Sequence, residues 1–418
     1  MKTDLGIIAD DITGALLIAG VLEGEGIAAP VCFSPEAVEN DGDIAVLATR
    51  TRLVPVAEAE AMVTCAAAAL KAAGIARIAY KACASFDSTP EGNIGPAARI
   101  LSDLAGGAPV LMNAGFPRFR ATVHHGYLFY RGRLVSDSVK QSDPVTPMSD
   151  PDLVRFLSLQ TDTPVGLIPH LTLLQGDGAT DAAWADLRAA GHRYILTDCS
   201  NDEDVQRSLA LALRQSAVVV ASDPLVIGYA KALVAARRDL TPPAPGQRSG
   251  ISGPGAVFVG SAGPTAEAQI ARFSAEGHEV LALDLLDPEA EARALAWAAP
   301  RLGERPFAIV TAPDAEAVAR AQSALGRMEA ARRAEGLIAG LARALTARGL
   351  RRLVISGGET SGAVAEALGL RKVRALPETA LGAGFCQSEG ETPLALFFKS
   401  GKLGSEDVFA AALAQMRG

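Results

Sequence analysis

Two adjacent aspartates near the start of the chain have side chains suited to binding or catalysis. Asp10 and Asp11 follow the apolar run 4–9 and precede a helical pattern that begins at residue 12. Carboxylates at the end of a strand can bind Mg²⁺, accept hydrogen bonds from a polyol or take a proton from a hydroxyl group. They can also cap the following helix, which we expect of at least one of the two. Both are candidate catalytic residues.

Basic side chains occupy the equivalent position after the next apolar run, 43–48. Arg50 and Arg52 lie just beyond it, before a proline at the entry to an alanine-rich helix. The guanidinium group presents a fork of donors that fits a carboxylate. Each arginine could instead face solvent, and both are candidate substrate-binding residues.

A long polar loop follows the third short run, 78–80. It starts with Lys81 and carries Asp87, Ser88 and Asn93 before a helix that we predict to begin near Ala97. Loops placed in this way on α/β scaffolds usually carry function, although Asp87 or Ser88 could be a structural cap. These four residues complete the candidate substrate site.

The second half of the chain has a candidate anion site of a different kind. An apolar run, 353–355, leads into paired glycines and then a helix. Glycine lets backbone N–H groups approach a phosphate closely, and the first turn of a helix offers unpaired donors. An ordinary strand-to-helix turn is the alternative. The residues concerned are Gly357, Gly358, Glu359 and Thr360.

Two further turns of the same design strengthen the anion-site interpretation. One precedes Pro264, a typical first helical residue, and the other follows the run 394–398, with Ser405 predicted to cap the last helix. Three convergent helix N-termini and one lysine would suit a triphosphate. The additional candidate nucleotide-binding residues are Ser261, Gly263, Lys399, Gly401 and Gly404.

Strand-like apolar runs alternate with helical stretches along the chain, which predicts α/β architecture with mostly parallel, doubly wound sheets flanked by helices. Proline and glycine are concentrated in 241–250 as nowhere else. We therefore predict two domains, 1–240 for the substrate and 255–418 for the nucleotide, joined by a linker at 241–254. A ligand cleft is expected between them.

Bulk properties exclude several classes of protein. The 418 residues carry a net charge of −8 and a pI near 5.3, which argues against a nucleic-acid or anionic-membrane partner. The five cysteines are scattered, which favours reduced thiols and a cytoplasmic location. No signal peptide or membrane span is expected. His124 and His125 lack metal-site spacing, so no protein-built metal site is predicted.

Familiar nucleotide motifs are absent from the sequence. It has neither GxxxxGK[ST] nor GxGxxG after a strand, which excludes a P-loop enzyme by motif and makes a dinucleotide site a poor fit. The residues alone support phosphoryl transfer between a polar N-terminal site and a phosphate-binding C-terminal domain.

Several motifs resemble the four-carbon acid sugar kinase family, in order and in both halves of the chain. They are IADDITGA at 8–15, TR at 51–52, Lys81 with FDST at 86–89, GNIGP at 92–96, SGGETSG at 356–362 and KSG at 399–401. The FDST and GNIGP version of the loop, with Thr146, Pro147, Met148 and Asp150, is most similar to the 3-oxo-tetronate 4-kinase group. Segment 116–125 and Lys402-Leu403 depart from the family pattern.

The resemblance implies ATP-dependent phosphorylation of the C4 hydroxyl of a four-carbon sugar acid, with Mg²⁺ on the phosphates. Arg52 and Lys81 would hold the substrate carboxylate, and Asp10 or Asp11 would orient or deprotonate the hydroxyl. ATP would lie on Ser261, residues 357–360 and Gly401. Domain closure on binding is expected because water must be kept from the γ-phosphate.

Three alternatives stay open at this point. The substrate could be threonate or erythronate. The chain could bind a sugar acid without catalysis, or it could be a lyase or isomerase that uses Asp10 and Asp11 on a metal. A homodimer is compatible with the sequence, which does not determine the oligomeric state.

Overall fold

The computed structural model describes residues 3–143, 146–241, 250–260, 263–303, 305–311 and 313–417. The chain forms two compact units. The first comprises Met1–Ile18 and Ile27–Thr241, and the second comprises Ala19–Gly26 and Pro242–Gly418. The change of unit after Thr241 falls at the first residue of the predicted linker, of which 242–249 lie outside the described residues.

The first unit contains a mostly parallel main sheet and a small antiparallel one. The strands are β1 (Leu5–Ala9), β2 (Val31–Cys32), β3 (Ile44–Ala48), β4 (Arg77–Lys81), β5 (Val110–Asn113), β6 (Ala121–His124), β7 (Tyr127–Tyr130), β8 (Arg133–Leu134), β9 (Gly166–Ile168), β10 (Tyr194–Thr197) and β11 (Val218–Ala221). The main sheet has the order β2-β3-β1-β4-β11-β5-β10-β9, and β6-β7-β8 form the antiparallel sheet.

Continuous apolar runs form the central strands of this sheet. All residues of β1, β3 and β11 are buried, as is typical of parallel strands covered on both faces. Gly6 in β1 leaves room for Leu70, because a Cβ there would lie 2.8 Å from its side chain. The helices are α1 (Ile12–Gly24), α2 (Val56–Ala72), α3 (Ile94–Leu104), α4 (Leu153–Ser158), α5 (His170–Leu173), α6 (Asp177–Ala189), α7 (Asp202–Arg214) and α8 (Asp223–Ala235).

The elements of the second unit are β12 (Gly255–Val259), α9 (Pro264–Ala275), β13 (Glu279–Ala282), α10 (Ala290–Ala298), β14 (Phe307–Val310), α11 (Ala315–Leu325), α12 (Arg327–Thr346), β15 (Arg352–Ser356), α13 (Gly358–Ala367), β16 (Lys372–Ala375), β17 (Phe385–Ser388), β18 (Ala395–Lys399) and α14 (Val408–Gln415). Its strands have the order β13-β14-β12-β15-β18-β17-β16, in which β17 is antiparallel to both β18 and β16. Short 3₁₀ helices occur in the two units at Pro35–Ala37, Pro117–Phe119, Val135–Asp137, Val139–Ser142 and Ala299–Arg301.

The parallel strands of each unit have a topological switch point, where the chain order reverses. In the first unit β1 lies between β3 on one side and β4 on the other, and in the second unit β12 lies between β14 and β15. Ligands of open α/β sheets bind at such points, outside the carboxyl ends of the strands. The fold therefore draws attention to the residues that follow β1, β4, β12 and β15.

The predicted α/β class is confirmed, because each unit has mostly parallel strands flanked by helices. The prediction that a helix begins near Ala97 was wrong. Helix α3 begins at Ile94 and includes Gly95 and Pro96 in its first turn. Proline is tolerated there because the first turn of a helix does not use its backbone N–H groups in intrahelical hydrogen bonds. Within the described residues, no helix is long and apolar enough to cross a membrane.

Candidate active site

The candidate residues of the first unit follow neighbouring strands. Strand β1 pairs in parallel with β3 and with β4, so that Ala9 is level with Ala48 and with Lys81. Asp10 and Asp11 follow β1, Arg52 lies just beyond β3, and Lys81 ends β4. Because parallel strands end at the same edge, four of the predicted residues converge at the switch point.

Asp10 is buried and fully occupied by donors. Its side chain is 1% exposed. Arg52 donates to it from Nε at 2.8 Å and from Nη2 at 3.1 Å. Lys81 Nζ lies 3.2 Å from Oδ1, and the Cys83 N–H donates to Oδ2 at 3.1 Å. A carboxylate has about four acceptor positions. Asp10 therefore has no free position for a substrate proton and acts as a counter-ion.

Asp11 is the more accessible of the two aspartates. Its side chain is 32% exposed. It accepts a hydrogen bond from the Gly14 N–H at 2.8 Å, and Arg52 Nη2 and Lys81 Nζ lie at 2.8 and 3.3 Å. Burial opposes its ionisation, but the charges of Arg52 and Lys81 outweigh that effect and hold the pKa of Asp11 well below its usual range. Asp11 is therefore ionised and retains one open acceptor position.

Lys81 is a buried ammonium group surrounded by carboxylates. It is 2% exposed, and a third acid, Asp223, lies 3.7 Å from Nζ. Burial would lower the pKa of Lys81, but the surrounding acids raise it above its ordinary value. Burial and the neighbouring aspartates raise the pKa of Asp223, despite the attraction of Lys81.

Gly14 explains why the helix can start so close to this lysine. A Cβ on Gly14 would lie 1.9 Å from Lys81 Nζ and 2.5 Å from Asp11 Oδ1. Such distances are far inside van der Waals contact, so any side chain at this position would displace the ammonium group or the carboxylate. The motif 8–15 thus combines the acids with the glycine that lets the lysine reach them.

Ser88 and Asn93 are buried in a hydrogen-bond chain within the protein. The Ser88 hydroxyl donates to Asn93 Oδ1 at 2.6 Å, and Asn93 Nδ2 donates to the Tyr80 hydroxyl at 3.2 Å, which meets Thr51 at 2.7 Å. Gln160 donates to Ser88 and to the Thr89 carbonyl oxygen. These contacts order the loop behind Lys81, and they occupy the polar atoms that we predicted to contact the substrate.

Asp87 and Arg50 have no described hydrogen bond or ion pair with the charged cluster, which consists of Asp10, Asp11, Arg52 and Lys81. Asp87 is 6% exposed, accepts from Ser85 at 2.7 Å and pairs with Lys140. Burial would lower the pKa of Lys140, but Asp87 raises it. Arg50 is exposed. Thus the structure brings Asp10, Asp11, Arg52 and Lys81 together and does not place Arg50 among their partners.

Sequence reasoning missed Asp223, Lys140 and Gln160. Asp223 had a usable signal, because it follows the apolar strand β11 closely, as Asp10 follows β1. Lys140 and Gln160 gave none. Each reaches the loop from more than 50 positions away, as the separations of 53 from Asp87 and 72 from Ser88 show.

The three predicted phosphate turns of the second unit also follow adjacent strands. Strand β15 pairs in parallel with β12 and with β18, so that Ser356 is level with Val259 and with Lys399. Gly263 and Gly357, with φ of +122° and +132°, occupy the N-cap positions of α9 and α13. These conformations favour glycine. Ser261 lies outside the described residues.

The middle turn is tightly packed on one side and open on the other. Thr360 is 4% exposed and packs against Gly260, whose Cβ would lie 2.0 Å from its hydroxyl oxygen. Gly358 and Glu359 are exposed in the first turn of α13. The open face therefore offers helix N–H groups and one carboxylate, while Thr360 holds two turns together.

The third turn differs from its predicted form. Ser405 does not cap the last helix, since α14 begins at Val408 with Asp407 in the N-cap position. Ser405 donates to Asp407 instead, at 2.6 Å. Gly401 is half-buried and Gly404 is exposed with φ of +94°, so both lie in a loop of several residues between β18 and α14. This turn supplies a loop and Lys399 rather than a helix N-terminus directly after the strand.

Lys399 is buried at 4% exposure with neutral partners. Its Nζ donates to Gln269 Oε1 and to Ser356 Oγ, each at 3.0 Å. Burial lowers the pKa of Lys399 to about 8. No described carboxylate forms an ion pair with it. A buried cation without a counter-ion is unfavourable, which makes this lysine well suited to an anionic ligand.

A group of histidines lies on the first unit. The rings of His124 and His125 are 4.6 Å apart, and those of His124 and His170 are 5.4 Å apart. The backbone turns at His125, whose φ is +52°. No three His, Cys, Asp or Glu side chains in the described ranges form a group that could hold a metal ion.

The fold and the two sets of strand-end residues define a two-domain α/β protein with one candidate polar site, which is charged, and one candidate anion site. Two family models match the chain, a sugar-binding N-terminal domain at residues 5–230 and a nucleotide-binding C-terminal domain at 256–409. The chain belongs to the four-carbon acid sugar kinase family, as the motifs predicted.

Its relatives match over essentially their whole length. The 3-oxo-tetronate kinase of Burkholderia multivorans is 35% identical, covering 99% of this chain and 97% of the relative. That of Methylobacterium radiotolerans is 36% identical and covers 100% of both. A solved structure from Salmonella typhimurium has 28% identity and a TM-score of 0.84, covering 99% of both chains. A Haemophilus influenzae structure has 26% identity and a TM-score of 0.75, covering 98% of this chain and 100% of the other.

Proposed function

We propose that this protein transfers the γ-phosphoryl group of ATP to the C4 hydroxyl of 3-oxo-tetronate. The observation that carries the proposal is the full-length similarity to 3-oxo-tetronate kinases, combined with charged residues at the switch point of the sugar-binding unit. A cytoplasmic location agrees with the use of ATP. The homodimer stays a prediction.

Arg52 and Asp11 are the groups that we assign to the sugar acid. Arg52 directs Nε and Nη2 to the two aspartates, and no hydrogen bond or ion pair to Nη1 is found among the described residues. The free edge of this guanidinium group can bind the substrate carboxylate. Lys81 supports both aspartates and contributes positive charge from behind.

Asp11 orients the C4 hydroxyl in this proposal. Its low pKa makes it a weak base, but phosphoryl transfer depends mainly on positioning and charge stabilisation. The oxygen of C4 would attack the γ-phosphorus as the bond to the β-phosphate oxygen breaks, and the hydroxyl proton would leave along the hydrogen bond to Asp11. Asp10 keeps Arg52 and Lys81 in place.

The second unit holds ATP in this proposal. Gly357 and Gly358 open α13 toward the phosphates, and Lys399 supplies the positive charge that neutral neighbours leave uncompensated. Mg²⁺ fits this donor set as an ion held by phosphate and water, because it needs only one or two carboxylates from the protein. Glu359 is the exposed carboxylate that could supply an oxygen ligand, and Mg²⁺ would neutralise phosphate charge.

A coupled assay of ADP release over 3-oxo-tetronate, threonate and erythronate tests the proposal. We expect the highest kcat/KM with 3-oxo-tetronate, and a phosphorus NMR signal coupled to the C4 protons of the product. If none of the three acids leads to ADP release, the kinase assignment is refuted and a binding protein is favoured. Conversion of an acid without nucleotide would indicate a lyase or isomerase.

A further inference from the structure

Gln269 is a buried polar residue that lies outside the motifs at 356–362 and 399–401. It lies on α9 and is 0% exposed. Its Nε2 donates to three backbone carbonyl oxygens, those of Leu403, Gly404 and Ser405, at 3.0–3.1 Å. Its Oε1 accepts from Lys399 Nζ at 3.0 Å. The partners fix the orientation of the amide, because carbonyl oxygens require the NH₂ end.

These contacts join two parts of the candidate phosphate site. One amide binds the loop 403–405 at one end and the lysine of β18 at the other. Gly404 packs directly on it, since a Cβ there would lie 3.3 Å from Gln269 Nε2. Moving the amide would therefore disturb both the loop and the lysine.

The ammonium group of Lys399 has donor capacity to spare. It carries three N–H groups and meets two acceptors, Gln269 and Ser356. The Phe409 ring lies 5.6 Å from Nζ. The remaining N–H is buried in a unit that matches nucleotide-binding domains. An anion is the partner that would satisfy both this donor and the charge.

We propose that Gln269 is a positioning residue that fixes Lys399 and the loop 403–405 as one unit around the polyphosphate of the nucleotide. A neutral amide suits this role because it holds the ammonium group without neutralising it. This inference rests on the proposed function, since it requires that the second unit bind ATP.

The arrangement makes nucleotide affinity depend on pH. Phosphate favours the charged form of Lys399. The affinity for nucleotide should therefore fall as the pH rises through about 8, where Lys399 of the nucleotide-free protein loses its proton. The phosphate groups lose their last proton at a lower pH, ~6. The facing groups on α9, β15 and α14 are Gln269, Ser356 and Phe409, which do not titrate there. Glu406 and Asp407 interact with Arg272 of α9, and Glu359 lies on α13.

Gln269→Glu is the decisive variant, because it keeps the shape and reverses the chemistry. Its carboxylate would repel the three carbonyl oxygens and neutralise Lys399. Loss of a charge-assisted contact worth about 1.5–3 kcal/mol corresponds to a Kd for ADP that is roughly 10–150-fold weaker. We also expect the fall in affinity above pH 8 to disappear. Gln322→Glu is the matched control, since Gln322 is exposed on α11 of the same unit.

Isothermal titration with ADP, and with adenosine as a phosphate-free probe, separates the outcomes. The proposal requires weaker ADP binding by Gln269→Glu, unchanged adenosine binding and a wild-type response from Gln322→Glu. Wild-type affinity and pH dependence in Gln269→Glu would overturn it, as would equal losses for adenosine and ADP. If Gln269→Glu does not fold, Gln269→Met must give the same selective loss. Wild-type protein that binds no nucleotide would refute the proposed function itself.

Discussion

Single residues differ most clearly in what their surroundings leave them free to do. Asp10 and Asp11 are neighbours in sequence with the same side chain, yet Asp10 has four donors and is 1% exposed, whereas Asp11 is 32% exposed. Removing the charge of a buried carboxylate leaves the opposite charges buried without a counter-ion. Removing the charge of an accessible carboxylate affects mainly the ligand that it binds. The two aspartates should therefore respond differently to the same substitution.

Asp11→Asn should reduce kcat by about 100-fold or more, within the range for positioned acid and base groups. The nucleotide Kd should stay unchanged, because Asp11 belongs to the first unit. Steady-state kinetics and ADP titration measure the two quantities. Asp186→Asn, exposed on α6, is the control for loss of one negative charge. Undiminished kcat in Asp11→Asn would remove this residue from the mechanism.

Asp10→Asn should instead destabilise the fold by about 3–5 kcal/mol, because Arg52 and Lys81 would lose their buried counter-ion. Urea unfolding followed by circular dichroism measures the change, and Asp186→Asn again controls for charge. A variant as stable as the wild type would show that Asp10 is not the anchor of the cluster.

The buried ammonium group of Lys399 should leave a signature in the pH dependence of stability. Burial lowers its pKa from 10.5 to about 8, so between these values the unfolded chain binds a proton that the folded chain has released. Stability from this group therefore rises with pH across that window and is lowest below it. Urea midpoints from pH 8 to 10.5 should rise more steeply for the wild type than for Lys399→Met. Lys402→Met, at an exposed lysine, is the control. Equal pH slopes of the urea midpoint for wild type and Lys399→Met would contradict the lowered pKa of Lys399.

Helix starts are the elements on which both candidate sites depend. Helix α1 begins beside Lys81 because residue 14 has no side chain, and α13 begins at the switch point with a glycine N-cap at φ of +132°. Both requirements are local, so the glycines at these turns could be identified from the sequence. Their exact partners could not, because those depend on which strands are neighbours.

Gly14→Ala tests how tightly the first helix approaches the charged cluster. The new Cβ would lie 1.9 Å from Lys81 Nζ, so we expect a lower melting temperature and a substrate KM raised at least several-fold. Gly178→Ala is the matched control, since this glycine also lies in the first turn of a helix and has nothing within 4 Å of its Cβ. Alanine there should raise stability by about 0.5–1 kcal/mol. If the two substitutions have the same effect, the close approach at Gly14 is unimportant.

The sequence predicted strands better than it predicted contacts. Runs such as those of β1, β3 and β11 are buried on both faces, so their apolar character is continuous and easily recognised. Strand β6 was missed because its short sequence, ATVH, lies within a polar segment. Ser88 and Asn93 are typical ligand-binding residue types, and nothing local indicated that Tyr80 and Gln160 would occupy them.

At the scale of the whole molecule, the two units carry separate candidate sites, which their ligands should protect separately. The sugar acid would contact groups of the first unit, around Asp11 and Arg52, and ATP would contact the turns after β15 and β18. Binding slows hydrogen exchange chiefly in the segments that a ligand orders. Each ligand alone should therefore protect a different set of peptides.

Hydrogen exchange with mass spectrometry can test this division. With 3-oxo-tetronate alone we expect slower exchange in peptides covering 10–14 and 49–53, and with a non-hydrolysable ATP analogue in those covering 356–361 and 399–405. Asp11→Asn should weaken only the first effect, and Lys399→Met only the second, because the two side chains belong to different units. Protection of 356–361 by the sugar acid in the absence of nucleotide, or of 10–14 by the analogue alone, would mean that the two substrates do not divide between the units in this way.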